Sequence, residues 1–277
     1  MIKVLILGST GMVGRAVYNH FQHLSFVSCF ATSVSPIDKT LTKFIIDENY
    51  IESFKKILTY CKPDYVINCI GVIRPENTLE GINNSILVNS VFPRSAAKLC
   101  SLLDIRFIHI STDCVFDGRK GNYSDWETPN ELSIYGVTKY LGEVIEPPHL
   151  TIRTSIVGRE TNTTKNLLEW FLHSKGEVYG YNKVYWNGIT TKTLAKVIAR
   201  IIERNLIFQP GIIHLGSEKI SKYQLLLIFK KIFNLPINVI PLSEKISDKT
   251  LVPSKAQHTY FSDLITPLEI QIGELVE

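Results

Sequence analysis

No stretch of this chain approaches the ~20 consecutive apolar residues that a bilayer-spanning helix requires, so no membrane span is expected. Lys and Arg nowhere form a dense block. The formal charge of +4 is spread along the chain, and a nucleic-acid partner has no footprint. The five cysteines (Cys29, Cys61, Cys69, Cys100 and Cys114) show no CxxC pair or metal-ligand spacing, and the seven histidines form no cluster. No metal site is expected. Most of the cysteines sit in apolar runs, as reduced core residues of a cytosolic protein do. No cleavable leader is expected, because Met1 runs almost directly into Lys3-Val4-Leu5-Ile6-Leu7-Gly8, which reads as strand and turn. The expected compartment is the cytoplasm.

What is present is an ordinary globular composition, 45% hydrophobic and 20% charged over 277 residues. That length supports one large domain, or one with a smaller lobe. In the first half, short apolar runs alternate with amphipathic stretches. Val4–Leu7, Val27–Ala31, 44–46, Tyr65–Asn68 and 107–110 read as strands; helical patterns fall near 12–23, 50–61 and 80–103. Strands of this kind alternating with helices predict a Rossmann-type, doubly wound parallel sheet, an α/β fold with helices on both faces. Ligands of such sheets sit at the carboxyl ends of the strands, where Gly8, Asn68, Gly71, Ser111 and Thr112 all fall. Beyond an irregular loop at 112–132, a helix is expected over 133–146, stopping before Pro147-Pro148, and a strand over 149–155. Further helices are expected near 164–174, 191–205 and 221–233, with strands near 177–187 and 211–215. These divide the chain into a cofactor-binding domain at 1–157, completed by about 188–215, and a smaller substrate-binding lobe from 158–187 and 216–277.

The run Gly8-Ser9-Thr10-Gly11-Met12-Val13-Gly14 follows the first strand and opens a helix. Residues without Cβ let helix-start amides approach a pyrophosphate, so this turn is a dinucleotide cradle. An acidic residue about 20 positions on would select NAD. Here the second strand ends in Ala31-Thr32-Ser33-Val34-Ser35, and the small hydroxyls of Thr32 and Ser33 leave room for a 2′-phosphate that Lys39 could neutralise. NADPH is the expected cofactor, with NADH as the alternative. Asp47, just after the third strand, reads either as a contact at the adenine end or as a carboxylate at a helix start.

Tyr135 and Lys139 stand four apart on a predicted helix, about 40° apart around its axis, and both face one cleft. A phenol with an ordinary pKa of about 10 exchanges protons slowly near neutrality, and a nearby ammonium lowers that value. Thr112, at the end of the strand carrying Ser111, is placed to hold a carbonyl oxygen while Tyr135 protonates it. Asn89 reads as a buried amide that satisfies backbone. His109 and His214 read as satisfied core residues, and Trp186, near Gly188, as a wall of the substrate pocket.

With these residues in hand, the chain resembles the extended short-chain dehydrogenase/reductases, and among them the dTDP-4-dehydrorhamnose reductase-like (RmlD-like) group. The resemblance rests on Lys62-Pro63-Asp64-Tyr65-Val66-Ile67-Asn68, Ile110-Ser111-Thr112-Asp113-Cys114-Val115-Phe116-Asp117-Gly118, Tyr123, Glu127-Thr128-Pro129, Tyr135-Gly136-Val137-Thr138-Lys139-Tyr140-Leu141-Gly142-Glu143 and Arg153-Thr154-Ser155. It implies NADPH-dependent reduction of the 4-keto group of a nucleotide-linked 6-deoxysugar, on the way to surface polysaccharides. Thr112, Tyr135 and Lys139 would be catalytic. Gly8, Thr10, Gly11, Met12, Val13, Gly14, Cys69, Ile70 and Gly71 would contact the cofactor. Asp113, Cys114, Val115, Phe116, Tyr135 and Arg153 would border the substrate. The group usually has Tyr at Cys114, whereas the related GDP-fucose synthases place an epimerising cysteine there, together with a histidine missing from Glu160-Thr161-Asn162-Thr163-Thr164-Lys165-Asn166. Similar chains also serve as non-catalytic NADP-binding subunits, such as the β subunit of methionine adenosyltransferase. A homodimer is expected only by analogy with the fold class.

Overall fold

The computed structural model describes residues 1–34, 41–160 and 166–276. Strands β1 (Ile2–Leu7), β2 (Val27–Ser33), β3 (Leu41–Lys43), β4 (Tyr65–Asn68), β5 (Arg106–Ser111) and β6 (Leu150–Arg153) alternate with helices α1 (Met12–Phe21), α2 (Tyr50–Cys61), α3 (Leu79–Ile86), α4 (Phe92–Ser101) and α5 (Ile134–Leu141). There follow β7 (Ile156–Val157), α6 (Leu167–Leu172), β8 (Glu177–Tyr181), β9 (Val184–Trp186), β10 (Ile189–Thr190), α7 (Thr191–Glu203), β11 (Ile212–His214) and β12 (Ile220–Ser221). The chain closes with α8 (Lys222–Ile232), β13 (Asn238–Leu242), β14 (Ser247–Asp248), α9 (Lys255–Tyr260) and α10 (Leu268–Gly273).

Seven strands form one parallel sheet in the order β11-β6-β5-β4-β1-β2-β3. This is the doubly wound Rossmann-type α/β architecture that the strand pattern predicts. Successive side chains of β1 leave on opposite faces. Val4 and Ile6 pack into a core with α1 and α7, and Leu5 and Leu7 into a second core with α2 and α4. The topological switch lies between β1 and β4, and the glycine turn and Asn68 stand at its two sides.

Residues after β6 build a third core around Leu168, Phe171, Trp186, Leu225 and Phe229. This is the smaller lobe, with short sheets β8-β13 and β12-β9-β14. The chain then partly returns: Phe261, after α9, is fully buried in the first core, on the large sheet rather than in the lobe.

Three local expectations change. The third strand is Leu41–Lys43, not 44–46: Phe44 closes onto Ser33 O and then turns its ring into the second core. The predicted helix at 80–103 is broken by a π-helical turn at Leu87–Val91. Pro93 has no N–H to return to the Asn89 carbonyl, and the Phe92 N–H donates to Leu87 O instead. Helix α5 ends at Leu141, five residues early. Gly142 packs against the Asn89 carbonyl, where a Cβ would clash, and the chain turns so that Glu143 points inward.

Candidate functional site

The glycine turn needs its glycines for stated reasons. Gly8 has φ +79°, a left-handed conformation. A Cβ on Gly14 would collide with the Gly8 carbonyl oxygen, so α1 can start this close to β1 only with glycine there. The end of β2 clasps the turn. Ser9 N donates to Thr32 O at 2.9 Å, Gly8 N to Thr32 Oγ1 at 3.4 Å, and Thr10 Oγ1 lies 3.2 Å from Ser33 Oγ. Thr32 and Ser33 are therefore buried braces of the turn. Ser33 also lines, with Gly8, Thr10, Gly11, Ile46 and Cys69–Val72, an open cavity of about 340 Å³ at the carboxyl edge of the sheet. Val13 packs on the first core, and Met12 faces the lobe.

Asp47 does not join them. It is exposed, its Oδ1 accepts from Asn49 N at 2.9 Å, and its carbonyl accepts from Tyr50 N at the start of α2. One carboxylate oxygen is thus engaged in the loop ahead of α2, in keeping with the helix-start reading of Asp47. Lys39 lies outside the described residues.

Asn89 fastens the far wall. Its Oδ1 accepts from Val72 N at 2.8 Å, and its Nδ2 donates to Val72 O at 2.9 Å and to Thr138 Oγ1 at 3.1 Å. The amide thus ties the Gly71-Val72 segment to α5, the structural role expected of it.

Helix α5 is capped by Ser133, whose hydroxyl accepts from Gly136 N. Tyr135 and Lys139 both face the carboxyl ends of β4 and β5. Lys139 is buried, its Nζ donates to Ile110 O at 2.7 Å, and it lies 3.3 Å from His109 Nε2. Burial pulls its pKa down to about 8, against the opposing charges of Glu143 and Cys69. The Thr112 hydroxyl accepts from Cys114 N and donates to Asp113 Oδ1, each at 3.1 Å, and it stands close enough to the Tyr135 phenol to act on its pKa. The phenol's pKa is not lowered as expected. Burial pushes it up, Cys114 and Asp113 add to this, and only the Thr112 hydroxyl opposes them. The Lys139 Nζ faces the β5 carbonyl and His109 instead.

Several residues expected at the substrate are buried in the fold. Val115 and Phe116 are 1% and 0% exposed. Phe116 stacks on Tyr123 at 4.2 Å, and with Leu251 they form a small core that anchors the 112–132 loop. Arg153 is buried in a bidentate pair with Glu143, 2.8 Å from Nε to Oε1 and 2.7 Å from Nη2 to Oε2. Its Nη1 donates to His214 Nε2 at 3.2 Å, and Ser111 Oγ donates to Glu143 Oε1 at 2.7 Å. Val115 and Phe116 are taken up by the small core under the loop, and the Arg153 guanidinium is consumed by Glu143 and His214. His214 is the satisfied core histidine expected, its pKa taken down to about 4 by burial and the Arg153 charge.

Cys114 remains half-buried beside Tyr135, its thiol pushed up to about 12 by burial and Asp113. Trp186 donates from Nε1 to Ser155 Oγ at 2.7 Å and is 3% exposed. It lines a cavity of about 60 Å³ with Met12, Leu167 and Lys222. Lys222 was not anticipated. Its ammonium lies 5.0 Å from the centre of the Trp186 ring and within the fields of Asp113 and Cys114. The capping box Ser221…Gln224 is the sequence signal that puts Lys222 first in α8 and turns it to this cleft. Lys249, paired with Glu131 at 2.6 Å, supplies a second cation near Cys114. Among the described residues no His/Cys/Asp/Glu group could hold a metal ion, and no helix is long and apolar enough to cross a membrane.

A family model described as RmlD substrate binding domain matches residues 2–264. Methionine adenosyltransferase 2 subunit beta of Xenopus tropicalis is 27% identical over 248 residues, 84% of this chain and 73% of that protein. A dTDP-4-dehydrorhamnose reductase of Mycolicibacterium smegmatis is 31% identical over 164 residues, 57% of this chain and 46% of that one. The solved dTDP-4-dehydrorhamnose reductase of Bacillus anthracis, in complex with NADP, superposes with a TM-score of 0.83 at 18% identity, covering 100% of this chain and 99% of that one.

Proposed function

The chain belongs to the RmlD substrate binding domain family, and on that premise we propose that it reduces the 4-keto group of a nucleotide-activated 6-deoxysugar with NADPH, for surface polysaccharide synthesis. The observation that carries this reading is the Thr112–Tyr135 hydroxyl pair beside Lys139, at the sheet edge that also holds the glycine turn.

The residues present fit a dinucleotide. The turn leaves no room for Cβ at Gly14, and the cavity it opens extends to Gly71, where a Cβ would stand 4.0 Å from Lys139 Nζ. Gly8, Gly11 and Gly14 would hold the pyrophosphate at the start of α1, with Thr10 and the Cys69–Gly71 segment along it. When bound, the reduced nicotinamide supplies a hydride to the carbonyl carbon. Thr112 donates a hydrogen bond to the carbonyl oxygen. Tyr135 delivers its proton to that oxygen, so the ketone gains one hydride and one proton and leaves as a secondary alcohol. A phenol held above its ordinary pKa keeps its proton until an alkoxide-like oxygen develops, which suits a donor better than a base. Lys139, one helical turn from Tyr135, would supply positive charge toward the phenolate left behind while it is protonated, below about 8. Lys222 and Trp186 would face the sugar from the lobe.

Following NADPH absorbance against dTDP-, UDP- and GDP-linked 4-keto-6-deoxysugars, with Tyr135→Phe as control, tests the reading. Tyrosine-dependent oxidation with one donor supports it and names the nucleotide; NADPH binding with no oxidation on any donor overturns it.

The similarity to methionine adenosyltransferase subunit beta sequences supports a second reading, a non-catalytic NADP-binding partner of another enzyme. A stable complex with such an enzyme, together with no turnover, would favour it. Epimerisation through Cys114 is disfavoured by a thiol near 12 and a lobe entry without histidine. Cys114→Ser is expected to leave reduction intact, with no solvent deuterium on ring carbons of the sugar.

A further inference from the structure

Behind Lys139 lies a chain of hydrogen bonds whose direction can be worked out from one end to the other. Ile70 N–H donates to Asn68 Oδ1 at 3.1 Å. A backbone N–H can only donate, so this contact fixes which end of the Asn68 amide is oxygen. The Asn68 Nδ2 then faces His109 Nδ1 at 3.1 Å and must donate to it. Asn68 and His109 are register partners on β4 and β5, and both are fully buried. Full burial holds the imidazole well below the ordinary histidine range and so favours the neutral ring. A neutral imidazole with Nδ1 accepting carries its proton on Nε2. That Nε2–H lies 3.3 Å from Lys139 Nζ.

Lys139 Nζ also donates to Ile110 O at 2.7 Å. A neutral amine meets both neighbours, with one N–H to Ile110 O and its lone pair to the His109 Nε2–H. An ammonium has three N–H groups and no acceptor, and it would set a donor against a donor. The other charged or titratable groups around Nζ are few. Glu143, one turn further along, is engaged by Arg153 and Ser111. Cys69, at the end of β4, is a thiol pushed up to about 12 by burial. Tyr135 is on the same helix, with Cys114 and Asp113 beyond it.

We propose that Asn68 and His109 are positioning residues that present an N–H, rather than a lone pair, to Lys139 and thereby bias its amine toward the uncharged form. Because the amide orientation is read from Ile70 N–H, the charge of Lys139 is linked to the backbone of the segment that walls the dinucleotide cavity. The activity consequence rests on the reductase reading; the proton positions do not.

The test reads proton positions directly. Long-range ¹H–¹⁵N correlation of the histidine-labelled full chain, with His109→Gln to assign the signal, is expected to find His109 neutral and protonated on Nε2. Protonation on Nδ1 would overturn the proposal without any variant of Asn68 having to fold. Lysine ¹³Cε titration, with Lys139→Met to assign the signal, gives the second readout. In Asn68→Asp the carboxylate can only accept, so the imidazole proton should move to Nδ1 and the Lys139 midpoint rise by about one pH unit or more, a tenfold change in proton affinity. Asn68→Leu introduces no charge and separates the tautomer from the field of an added carboxylate; a smaller rise is expected. An Asn68→Leu midpoint equal to that of the wild type would overturn the proposal. If no nucleotide sugar is reduced, the reductase reading falls and these NMR outcomes still decide the proton positions.

Discussion

Arg153 and Glu143 form a bidentate ion pair beneath the strand end that carries Thr112, with both side chains almost wholly removed from solvent. Ser111 completes the carboxylate and His214 takes a further guanidinium N–H, so β5, β6, β11 and the turn after α5 are tied at one point. Removing one partner strands the other charge in a low-dielectric interior, which costs about 3–5 kcal/mol. Arg153→Met is expected to lose stability on that scale in urea unfolding. Arg153→Met with Glu143→Gln should lose less than the two single variants summed; strict additivity would rule out the coupling.

Tyr135→Phe keeps the ring and removes the acid. Turnover should fall by about 10²–10⁴-fold, the usual contribution of a positioned general acid. NADPH affinity, measured by fluorescence, should stay within about twofold of wild type, a negligible change on the free-energy scale of binding. Retention of most activity would remove Tyr135 from the reaction.

The pH dependence has a definite sign. Lys139 is depressed from the ordinary lysine value to about 8, so its ammonium is present below that pH and lost above it. If the ammonium serves the proton transfer, kcat should decline as pH rises through about 8. A profile that stays flat up to the ordinary lysine range, about 10.4, would show that the reaction does not need that charge.

Gly14→Ala places a methyl against the Gly8 carbonyl, which belongs to rigid backbone. The turn must open, at about 1–3 kcal/mol for an overpacked site. Calorimetry should show a lowered Tm and NADPH binding weakened by at least tenfold, about 1.4 kcal/mol. Normal binding would mean that this turn does not hold the dinucleotide.

Much of this molecule follows from order along the chain alone. Apolar runs of strand length separated by amphipathic helices dictate a parallel sheet covered on both faces, and β1, β2 and β4 stand where the runs of 4–7, 27–31 and 65–68 put them. Three glycines behind the first run suffice for a strand-to-helix turn, and four residues of helix suffice to turn Tyr135 and Lys139 to one cleft. These are local relations, and the backbone's own periodicity carries them. The early end of α5 and the π-turn at Leu87–Val91 were not legible, although Gly142 and Pro93 were in view, because each depends on the other's helix being close by.

Strand register and packing decided the rest. Asn68 meets His109 and Arg153 meets Ser111 because neighbouring parallel strands align them, 41 and 42 residues apart in sequence. That alignment makes His109, a buried and satisfied core histidine, also the group facing Lys139. It also placed Arg153 where it pairs with Glu143. Phe116 went to the loop core and the Asp47 carboxylate to the loop ahead of α2 for similar reasons, since a buried ring seeks a stacking partner and a carboxylate seeks nearby N–H groups. A sequence states which polar groups exist; only the folded neighbours determine which of them are already satisfied and which are left to do chemistry.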